Sequence, residues 1–253
     1  MQGYKTLRDF AKILAQFNDF QVGERSVTEI SKALQMSASK VSRMLGTLEN
    51  EGLLERNLDN GKYRLSIVFF ELGIVYALHL PLRKIIRPHI EQMAKELNVT
   101  ASWGILSKSK VIVVDRIQNL NIDLLAYRIG LNLPIHSTSM GKALLAYLPE
   151  EELDRILQSV NLTKFTPATV VDHKLIKNNL RLVRERGYAT DRGETHEDVN
   201  CIAAPLRNGS GNVIAAINLL DDNSRTGGEK LFQFAEYLKE RSLFISRQLG
   251  YEL

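Results

Sequence analysis

The stretch that decides the fold of the first part of the chain is LQMSASKVSRMLGTLENEGLLER, residues 34–56. Between Ser37 and Leu48 it contains three serines and two basic residues, and it contains no aspartate or glutamate. Ser37 can cap the start of a helix and Gly52 can end it, so the stretch predicts a helix that ends near Glu51. Serine is unfavourable inside a helix because its hydroxyl competes for nearby backbone groups, so the three serines call for another explanation.

The predicted helix has two different faces. At about 100° per residue, one side collects the apolar residues Val41, Met44, Leu45 and Leu48. The opposite side and its flanks collect small, polar or basic residues: Ser39, Lys40, Ser42, Arg43, Gly46, Thr47 and Asn50. Such a face, free of carboxylates, suits an element that enters the major groove of DNA and lies against phosphates. Taken alone, it is equally compatible with a solvated face of a helical bundle.

The elements around this helix favour DNA binding. An apolar stripe of a preceding helix is formed by Leu7, Phe10, Leu14 and Phe17. Ser26 can cap a second helix, and an alternating segment turns at residues 59–61, Asp-Asn-Gly, which is typical of a β-hairpin. Lys62 and Arg64 lie on the return strand, where a wing would reach flanking phosphates. Three helices and a hairpin predict a winged helix-turn-helix in residues 1–66. The candidate DNA-binding residues are Ser37, Ser39, Lys40, Ser42, Arg43, Gly46, Thr47, Lys62 and Arg64.

Composition is that of an ordinary globular protein with a mildly basic balance. The chain has 253 residues, 44% of them hydrophobic, and a formal net charge of +4. Such a charge permits a polyanionic partner without requiring one. Cys201 is the single cysteine, so no intrachain disulfide is possible, and a reducing compartment fits best. The sequence contains no apolar run long enough to span a membrane. We therefore expect a cytoplasmic protein without a membrane partner.

Beyond the hairpin, the pattern predicts a linker and a second domain. Residues 67–80, IVFFELGIVYALHL, are apolar on most faces and predict a linker helix in residues 67–81 that is buried against a partner. Residues 82–253 mix helices and strands, which predicts an α+β domain. Its predicted elements include a strand at residues 122–130, a helix at residues 137–148 and a closing helix at residues 229–249. Trp103 is expected in the core of the first sheet strand.

The chain resembles the IclR-type family of bacterial transcription regulators over nearly its whole length. The resemblance depends on residues 26–56 followed by YRLS, on GLNLPIHSTSMGKALLAYLP at residues 130–149, and on CIAAPL at residues 201–206 and GNVIAAINL at residues 211–219. It implies a winged helix, a linker helix used in dimerisation and a GAF-like effector-binding domain. It also implies a homodimer or homotetramer, a double-stranded DNA operator and an effector that is a small organic or aromatic acid. We expect no catalytic residue, and no cofactor apart from the zinc considered below.

A candidate effector pocket follows from the predicted helix start and from the resemblance. Ser137 and its neighbours begin a helix, whose free N–H groups and dipole would attract a carboxylate. The resemblance adds residues from this motif and from the late strands. The candidate effector-binding residues are Gly130, His136, Ser137, Met140, Asp191, Glu194, Cys201 and Asn218. Asp198 and Leu220 depart from the family pattern, so we expect a more apolar pocket than in relatives that take very small acids.

Three alternatives remain open at this point. Asp191, Glu194, His196 and Cys201 are residue types that bind zinc, so a metal-responsive regulator is possible, although their spacing matches no standard zinc motif. Cys201 with His196 or His136 suggests a thiol hydrolase, but no glycine-rich nucleophile turn surrounds the cysteine. A purely oligomeric scaffold would leave the acid-free helix face unexplained. We favour a transcription regulator that is not an enzyme.

Overall fold

Three short helices and a hairpin form the first part of the computed structural model, which describes residues 4–18, 22–118, 128–222 and 230–252. The chain divides into two units, Met1–Leu80 and Pro81–Leu253. The elements of the first unit are α1 (Lys5–Leu14), α2 (Val27–Leu34), α3 (Ala38–Asn50), β1 (Leu54–Arg56), β2 (Tyr63–Leu65) and α4 (Val68–Leu78). The two strands pair antiparallel, so the order of elements is that of a winged helix-turn-helix.

Local sequence explains where the helices of the first unit begin and end. Ser26 and Glu29 form a reciprocal capping box at the start of α2, as the Ser26 cap predicts. After α3, Gly52 has φ +72°, a left-handed conformation that favours glycine and ends the helix as predicted. Ser37 occupies the N-cap position of α3, but its side chain makes no capping bond, because its hydroxyl lies 3.5 Å from the Ser39 hydroxyl instead.

A small apolar core holds the first unit together. Its buried members include Ile13 from α1, Ile30 from α2 and, as predicted, Val41, Met44, Leu45 and Leu48 from α3. The predicted stripe of α1 is displaced by part of a turn. Leu7 is 65% exposed, because it lies about 120° around the helix from Ile13, the centre of the buried face.

Helix α4 exposes apolar side chains on all sides. The exposed large apolar residues of α4 and of Ile67, which precedes it, are Ile67, Phe70, Leu72, Ile74, Val75, Tyr76 and Leu78. No residue of α4 is buried within the described chain, and burial of this helix against a partner stays a prediction. None of the helices in the described residues is long and apolar enough to cross a membrane.

One antiparallel sheet organises the second unit. Its strands are β3 (Thr100–Ser107), β4 (Lys110–Ile117), β5 (Asn132–Leu133), β6 (Ala189–Arg192), β7 (Val199–Arg207) and β8 (Val213–Asp222). In the described residues their order across the sheet is β5-β4-β3-β8-β7-β6. The helices are α5 (Pro81–Leu97), α6 (Ser139–Leu145), α7 (Glu150–Ser159), α8 (His173–Arg186) and α9 (Ala235–Gln248).

Helices cover both faces of this sheet. One face packs on α5 and α9 through a cluster that includes Trp103, Ile202 and Ile217, and Trp103 is fully buried as expected. The other face packs on α6, α7 and α8 through a cluster that includes Cys201 and Ala203. Separate helices around an antiparallel sheet make this an α+β unit, as predicted.

Several predicted boundaries differ from the observed ones. Helix α6 is shorter at both ends than the predicted helix at residues 137–148, since Thr138 is its N-cap and the helix ends at Leu145. The closing helix begins at Ala235, after a 3-10 turn at Lys230–Phe234. The strand predicted at residues 122–130 falls largely on residues 119–127, which lie outside the described residues. The division between the units groups α4 with the first unit, and a separate linker at 67–81 between domains 1–66 and 82–253 stays a prediction.

Candidate DNA interface and effector site

The outer face of α3 is open to solvent. Ser39, Ser42, Arg43 and Thr47 are exposed, and Lys40 and Gly46 are partly exposed, while the apolar side holds the helix to the core. A Cβ added at Gly46 would meet no described atom within 4 Å. Packing inside the unit therefore does not require a glycine here. Without a side chain at this position, the helix backbone can come closer to the floor of a DNA groove.

Lys40 carries its own carboxylate partner. Its ammonium pairs with the carboxylate of Asp9, a buried residue of α1. The hydrogen bond from Lys40 holds the pKa of Asp9 below its ordinary value, so Asp9 stays ionised at neutral pH. The face that the α3 sequence predicts to be free of acid is therefore bordered by an acid from another helix. Lys40 is paired in the structure, and its contact with DNA stays a prediction.

The two predicted wing cations are also paired with acids. Lys62 Nζ lies 3.7 Å from Glu29 Oε1, and Arg64 Nη2 lies 2.9 Å from Glu55 Oε2 across the hairpin. Both pairs are exposed to a third or more, so water screens them and their exchange for phosphate costs little. Glu24 holds the turn of the wing, since Asn60 Nδ2 donates to it at 2.8 Å.

Arg43 is the exception among the predicted cations. Within the described residues its guanidinium has no ion-pair partner, and its backbone oxygen accepts a bond from Thr47 Oγ1 at 3.0 Å. The side chain borders an open cleft of about 620 Å³ between α1 and α3. A guanidinium in this position can make a bidentate bond to guanine or a phosphate.

Strand pairing brings the second group of candidate residues together. In the sheet, Asp191 pairs with Cys201, which pairs with Leu220, and in the next row Asn218 pairs with Ser102. Asp191, Cys201 and Asn218 are all buried. They lie on the sheet face that α6 covers, where Ser137, Ser139 and Met140 are also buried.

Hydroxyl groups link α6 to this part of the sheet. Ser139 Oγ donates to Asn218 Oδ1 at 2.7 Å, and Asn218 Nδ2 donates to Ser102 Oγ at 3.3 Å. Thr195 Oγ1 lies 3.0 Å from Asp191 Oδ2 and 3.1 Å from Ser137 Oγ. We call Ser102, Ser137, Ser139, Lys142, Asp191, Glu194, Thr195 and Asn218 the polar cluster.

A buried ion pair completes the polar cluster. Lys142 Nζ lies 2.5 Å from Glu194 Oε1, and the two side chains are only 6% and 13% exposed. The second carboxylate oxygen of Glu194 is buried without a hydrogen-bond donor among the described residues. Burial raises the pKa of Asp191 to about 6, against the lowering effect of Lys142. The cluster thus offers an unused acceptor and a carboxyl group that titrates near neutral pH.

The remaining effector candidates take different places. Met140 packs close to Gly104 of β3, and Cys201 is buried in the apolar cluster on the same face. His136 Nε2 lies 3.0 Å from Thr163 O, and burial lowers the pKa of this imidazole. The ring borders an open cleft of about 390 Å³ beside Phe165. Gly130 is exposed in a turn with φ +84°.

The predicted anion site at the start of α6 differs from the observed arrangement. Thr138 Oγ1 accepts the Gly141 N–H at 3.2 Å, so one of the N–H groups expected to bind a carboxylate already has a partner. Gly141 is required here, because an added Cβ would lie 2.2 Å from Ile135 O. Lys142 of the same helix offers a side-chain cation that an anion could bind instead of the helix end.

Ser102, Ser139, Lys142 and Thr195 are members of the polar cluster that were not among the predicted effector-binding residues. Ser102 and Thr100 alternate with the apolar Ala101 and Trp103 along β3, and this alternation is a signal that could have identified Ser102. Leu220 lies beside Cys201, as the register of β7 with β8 shows, and the expectation of a more apolar effector pocket stays a prediction.

The zinc and hydrolase alternatives are not supported by this arrangement. Among the described residues, no three His, Cys, Asp or Glu side chains are grouped so that they could hold a metal ion. Glu194 is engaged by Lys142, and His196 is exposed while Asp191 is fully buried. Cys201 is also buried, which keeps its thiol away from solvent and substrate.

Comparisons with known proteins agree with this description. Residues 12–58 match the model of the IclR helix-turn-helix domain, and residues 74–247 match that of the bacterial transcriptional regulator IclR C-terminal domain. The transcriptional regulator XynR of Escherichia coli K12 is 35% identical over 240 residues, which are 95% of each chain. The regulator KdgR of the same strain is 29% identical over 228 residues, 90% of this chain and 87% of KdgR.

Solved structures give the same result. The IclR protein of Thermotoga maritima superposes with a TM-score of 0.70 at 28% identity, over 97% of this chain and 99% of the other. An IclR homologue from Microbacterium hydrocarbonoxydans, solved in complex with 4-hydroxybenzoate, gives a TM-score of 0.79 at 25% identity over 97% and 99%. These relatives are transcription regulators and not enzymes, so the hydrolase alternative is wrong. With both of its units matched, the chain belongs to the IclR family of bacterial transcriptional regulators.

Proposed function

We propose that the chain regulates transcription in the cytoplasm by binding double-stranded operator DNA through α3 and by changing that binding when a small hydroxylated acid enters the polar cluster. DNA binding and a C-terminal ligand-binding domain belong to the family. We further propose which residues carry these roles, which class of effector binds and how the chain assembles.

The open face of α3 is the observation that carries the DNA part of the proposal. Serine and threonine hydroxyls, together with Arg43, can bond base edges and phosphates, and Gly46 permits close approach. Lys62 and Arg64 would exchange Glu29 and Glu55 for phosphates of the flanking backbone. A carboxylate on this face would be repelled by every phosphate, which explains why α3 itself has none between Ser37 and Leu48.

The chemistry of the polar cluster supports the class of effector. An effector carboxylate can take the place of Glu194 beside Lys142, and effector hydroxyls can donate to Asp191 or bond Ser139 and Asn218. An organic acid that carries hydroxyl groups, aliphatic or aromatic, would find a partner among these residues for each of its polar groups. The relative from Microbacterium hydrocarbonoxydans was solved with such an acid, 4-hydroxybenzoate.

Helix α4 supports assembly into a homodimer or homotetramer. A helix that exposes apolar side chains all round is stable in water only when another surface covers it. A second copy of α4 would do so and would place two copies of α3 at two half-sites of a palindromic operator. The effector would change DNA affinity by preferring one arrangement of the two copies.

The DNA part is tested by selecting bound fragments of genomic DNA with the full-length protein and measuring affinity for the selected site. We expect Arg43→Ala to weaken binding to the selected site by about tenfold or more, in line with the loss of one bidentate base contact. Arg181→Ala removes an exposed arginine of α8 and is the matched control. Equal affinity of the Arg43→Ala variant and the wild type would overturn the role of α3.

The effector part is tested by thermal shift with a panel of hydroxy acids, aromatic acids and matched neutral alcohols. A ligand that binds only the folded state must raise the melting temperature. We expect hits among the hydroxy acids, and we expect Asn218→Ala to abolish the shift. Asn212→Ala, in the exposed β7–β8 turn, is the control and should retain it. A shift that survives in the Asn218→Ala variant would place the effector elsewhere.

A further inference from the structure

Asp9 is a buried carboxylate beside the helix that we assign to the operator. It lies on α1, and its side chain is 8% exposed, whereas that of its partner Lys40 is 37% exposed. The pair joins α1 to α3 across 31 residues of sequence. The ammonium group of Lys40, on the helix assigned to DNA, is therefore held by α1.

The surroundings of Asp9 are otherwise cationic. The cleft between α1 and α3 is bordered by Lys5, Thr6, Asp9, Phe10, Lys40, Arg43, Met44 and Thr47. Three of these residues are basic and Asp9 alone is acidic. Without Asp9, this cleft would be a basic surface with strong, sequence-independent attraction for phosphates.

The Asp9–Lys40 pair differs from the two pairs of the wing. Glu29 and Glu55 are 43% and 44% exposed, so water can replace either partner. Asp9 is shielded, and a shielded carboxylate that loses its partner is costly to leave alone. Lys40 can therefore turn to a phosphate only by leaving Asp9 unpaired, while Lys62 and Arg64 can change partners at little cost.

We propose that Asp9 is a specificity-determining residue, which retains Lys40 and so removes one phosphate contact that every DNA sequence would offer. The proposal rests on the proposed function of α3 as the DNA-reading helix. Discrimination between sequences is then left to Arg43 and the hydroxyls of the open face. Lys40, which we expected to contact DNA from the sequence alone, acts as a tether between helices instead.

The test measures the affinity of the full-length protein for a mixed-sequence duplex over a range of salt concentrations. Each phosphate contact steepens the slope of log affinity against log salt by about 0.9. We expect Asp9→Asn to steepen the slope by that amount, because Lys40 becomes free to bind a phosphate. Over a tenfold drop in salt this amounts to about eightfold tighter binding relative to wild type.

Two further variants separate this effect from a change in net charge. The double variant Asp9→Asn/Lys40→Met has the net charge of the wild type, and it should return the slope to the wild-type value. Glu236→Gln adds the same unit of charge at an exposed pair with Lys239 in the other unit, and it should leave the slope unchanged. Thermal melting of each variant shows whether it is folded at the temperature of the measurement.

The outcomes distinguish this inference from the proposed function. A slope in the folded Asp9→Asn variant equal to that of wild type overturns the inference, and so does a double variant whose slope is shallower than wild type by about 0.9. Should Asp9→Asn alone fail to fold, the double variant Asp9→Asn/Lys40→Met decides, since it removes both charges and keeps the wild-type slope only if Lys40 makes no phosphate contact in the wild type. Absence of salt-dependent DNA binding by the wild type would instead overturn the proposed function.

Discussion

Helices α3 and α6 are built from similar residues and are used in opposite ways. Each begins at a pair of serines separated by one residue, Ser37 and Ser39 in one case and Ser137 and Ser139 in the other. Each also carries a lysine in its first turns, a methionine and a glycine. Both lysines, Lys40 and Lys142, pair with a carboxylate from another element.

Burial separates the two helices. One side of α3 is open, so its hydroxyls and its arginine are available to a partner. Every residue of α6 is buried, so its hydroxyls bond within the polar cluster and its lysine is fixed by Glu194. The same residue types thus present an interface in one place and hold an interior together in the other. Residue type alone does not distinguish these roles, whereas the surroundings do.

The largest difference between the helices is expected when each lysine is removed. Lys142→Met leaves Glu194 buried without a partner, and we expect the free energy of unfolding to fall by about 3–5 kcal/mol. Lys40→Met also leaves a shielded carboxylate, that of Asp9, without its partner, but the loss should be smaller because the charges of Lys5 and Lys12 still favour the ionised form of Asp9. Urea unfolding measures both, and Lys142→Met/Glu194→Gln should recover part of the larger loss. Equal losses in the two single variants would remove the distinction between the helices.

The pKa values of the carboxylates beside the two helices are shifted in opposite directions, so the two residues should give opposite dependences of stability on pH. Burial raises the pKa of Asp191 to about 6, so its unfolded form releases a proton first as the pH rises. The free energy of unfolding should therefore fall by about 3 kcal/mol as the pH rises from about 4 to above about 6, beyond which Asp191 is ionised in both states. Asp191→Asn should abolish that fall.

Asp9 should behave in the reverse manner. Its pKa is lowered by the hydrogen bond from Lys40, so the stability it contributes is present above about pH 4 and is lost as the pH falls below that value. Urea unfolding as a function of pH, in wild type and in the Asp9→Asn and Asp191→Asn variants, measures both effects. The same sign of pH dependence from both residues would contradict the assignment of their surroundings.

The glycines of the two helices, Gly46 in α3 and Gly141 in α6, differ in the space around them. Gly141→Ala places a methyl group against Ile135 O, and we expect a loss of about 1–3 kcal/mol in the free energy of unfolding. Gly46→Ala meets open space inside a helix and should stabilise the protein by about 0.5–1 kcal/mol. It should nevertheless weaken operator binding, because the new methyl group lies on the open face. A stabilised variant with unchanged DNA affinity would show that α3 does not approach DNA through Gly46.

The smallest expected effects come from single serines. Ser139→Ala removes the donor to Asn218 Oδ1, and an unsatisfied buried acceptor costs about 1–3 kcal/mol, with the lower end expected here. Ser39→Ala changes an exposed position and should alter stability by less than about 0.5 kcal/mol. Its effect should appear in DNA affinity instead. Thermal melting measures the stability of both variants, and DNA titration measures their affinity. We expect Ser139→Ala to lose stability and Ser39→Ala to lose affinity.

Sequence predicted what depends on residues close together in the chain. The two faces of α3 follow from helical periodicity, and the hairpin turn follows from Asp-Asn-Gly, so both were confirmed. The cap of α2 by Ser26 is equally local. Two local predictions needed correction: Leu7 of the predicted α1 stripe is exposed, and Ser37 makes no side-chain capping bond. The sequence pattern gives the helix, but packing decides which of its residues are covered.

Contacts between distant segments could not be predicted in this way. The partner of Lys40 lies on another helix, and Ser102 meets Asn218 only through the register of β3 with β8. The buried pair of Lys142 and Glu194 joins segments 52 residues apart. These pairings decide which charges are free, and they depend on the packing of whole elements rather than on spacing in the sequence.

The exposed side chains of α4 have a consequence for how the protein responds to dilution. If a second copy covers them, as we propose, the melting temperature depends on protein concentration, because folding and association become one equilibrium. A cell that makes little of this regulator would then have fewer assembled copies and also fewer folded ones. Helix α4 would in this way relate the amount of protein made to the sharpness of the regulatory response.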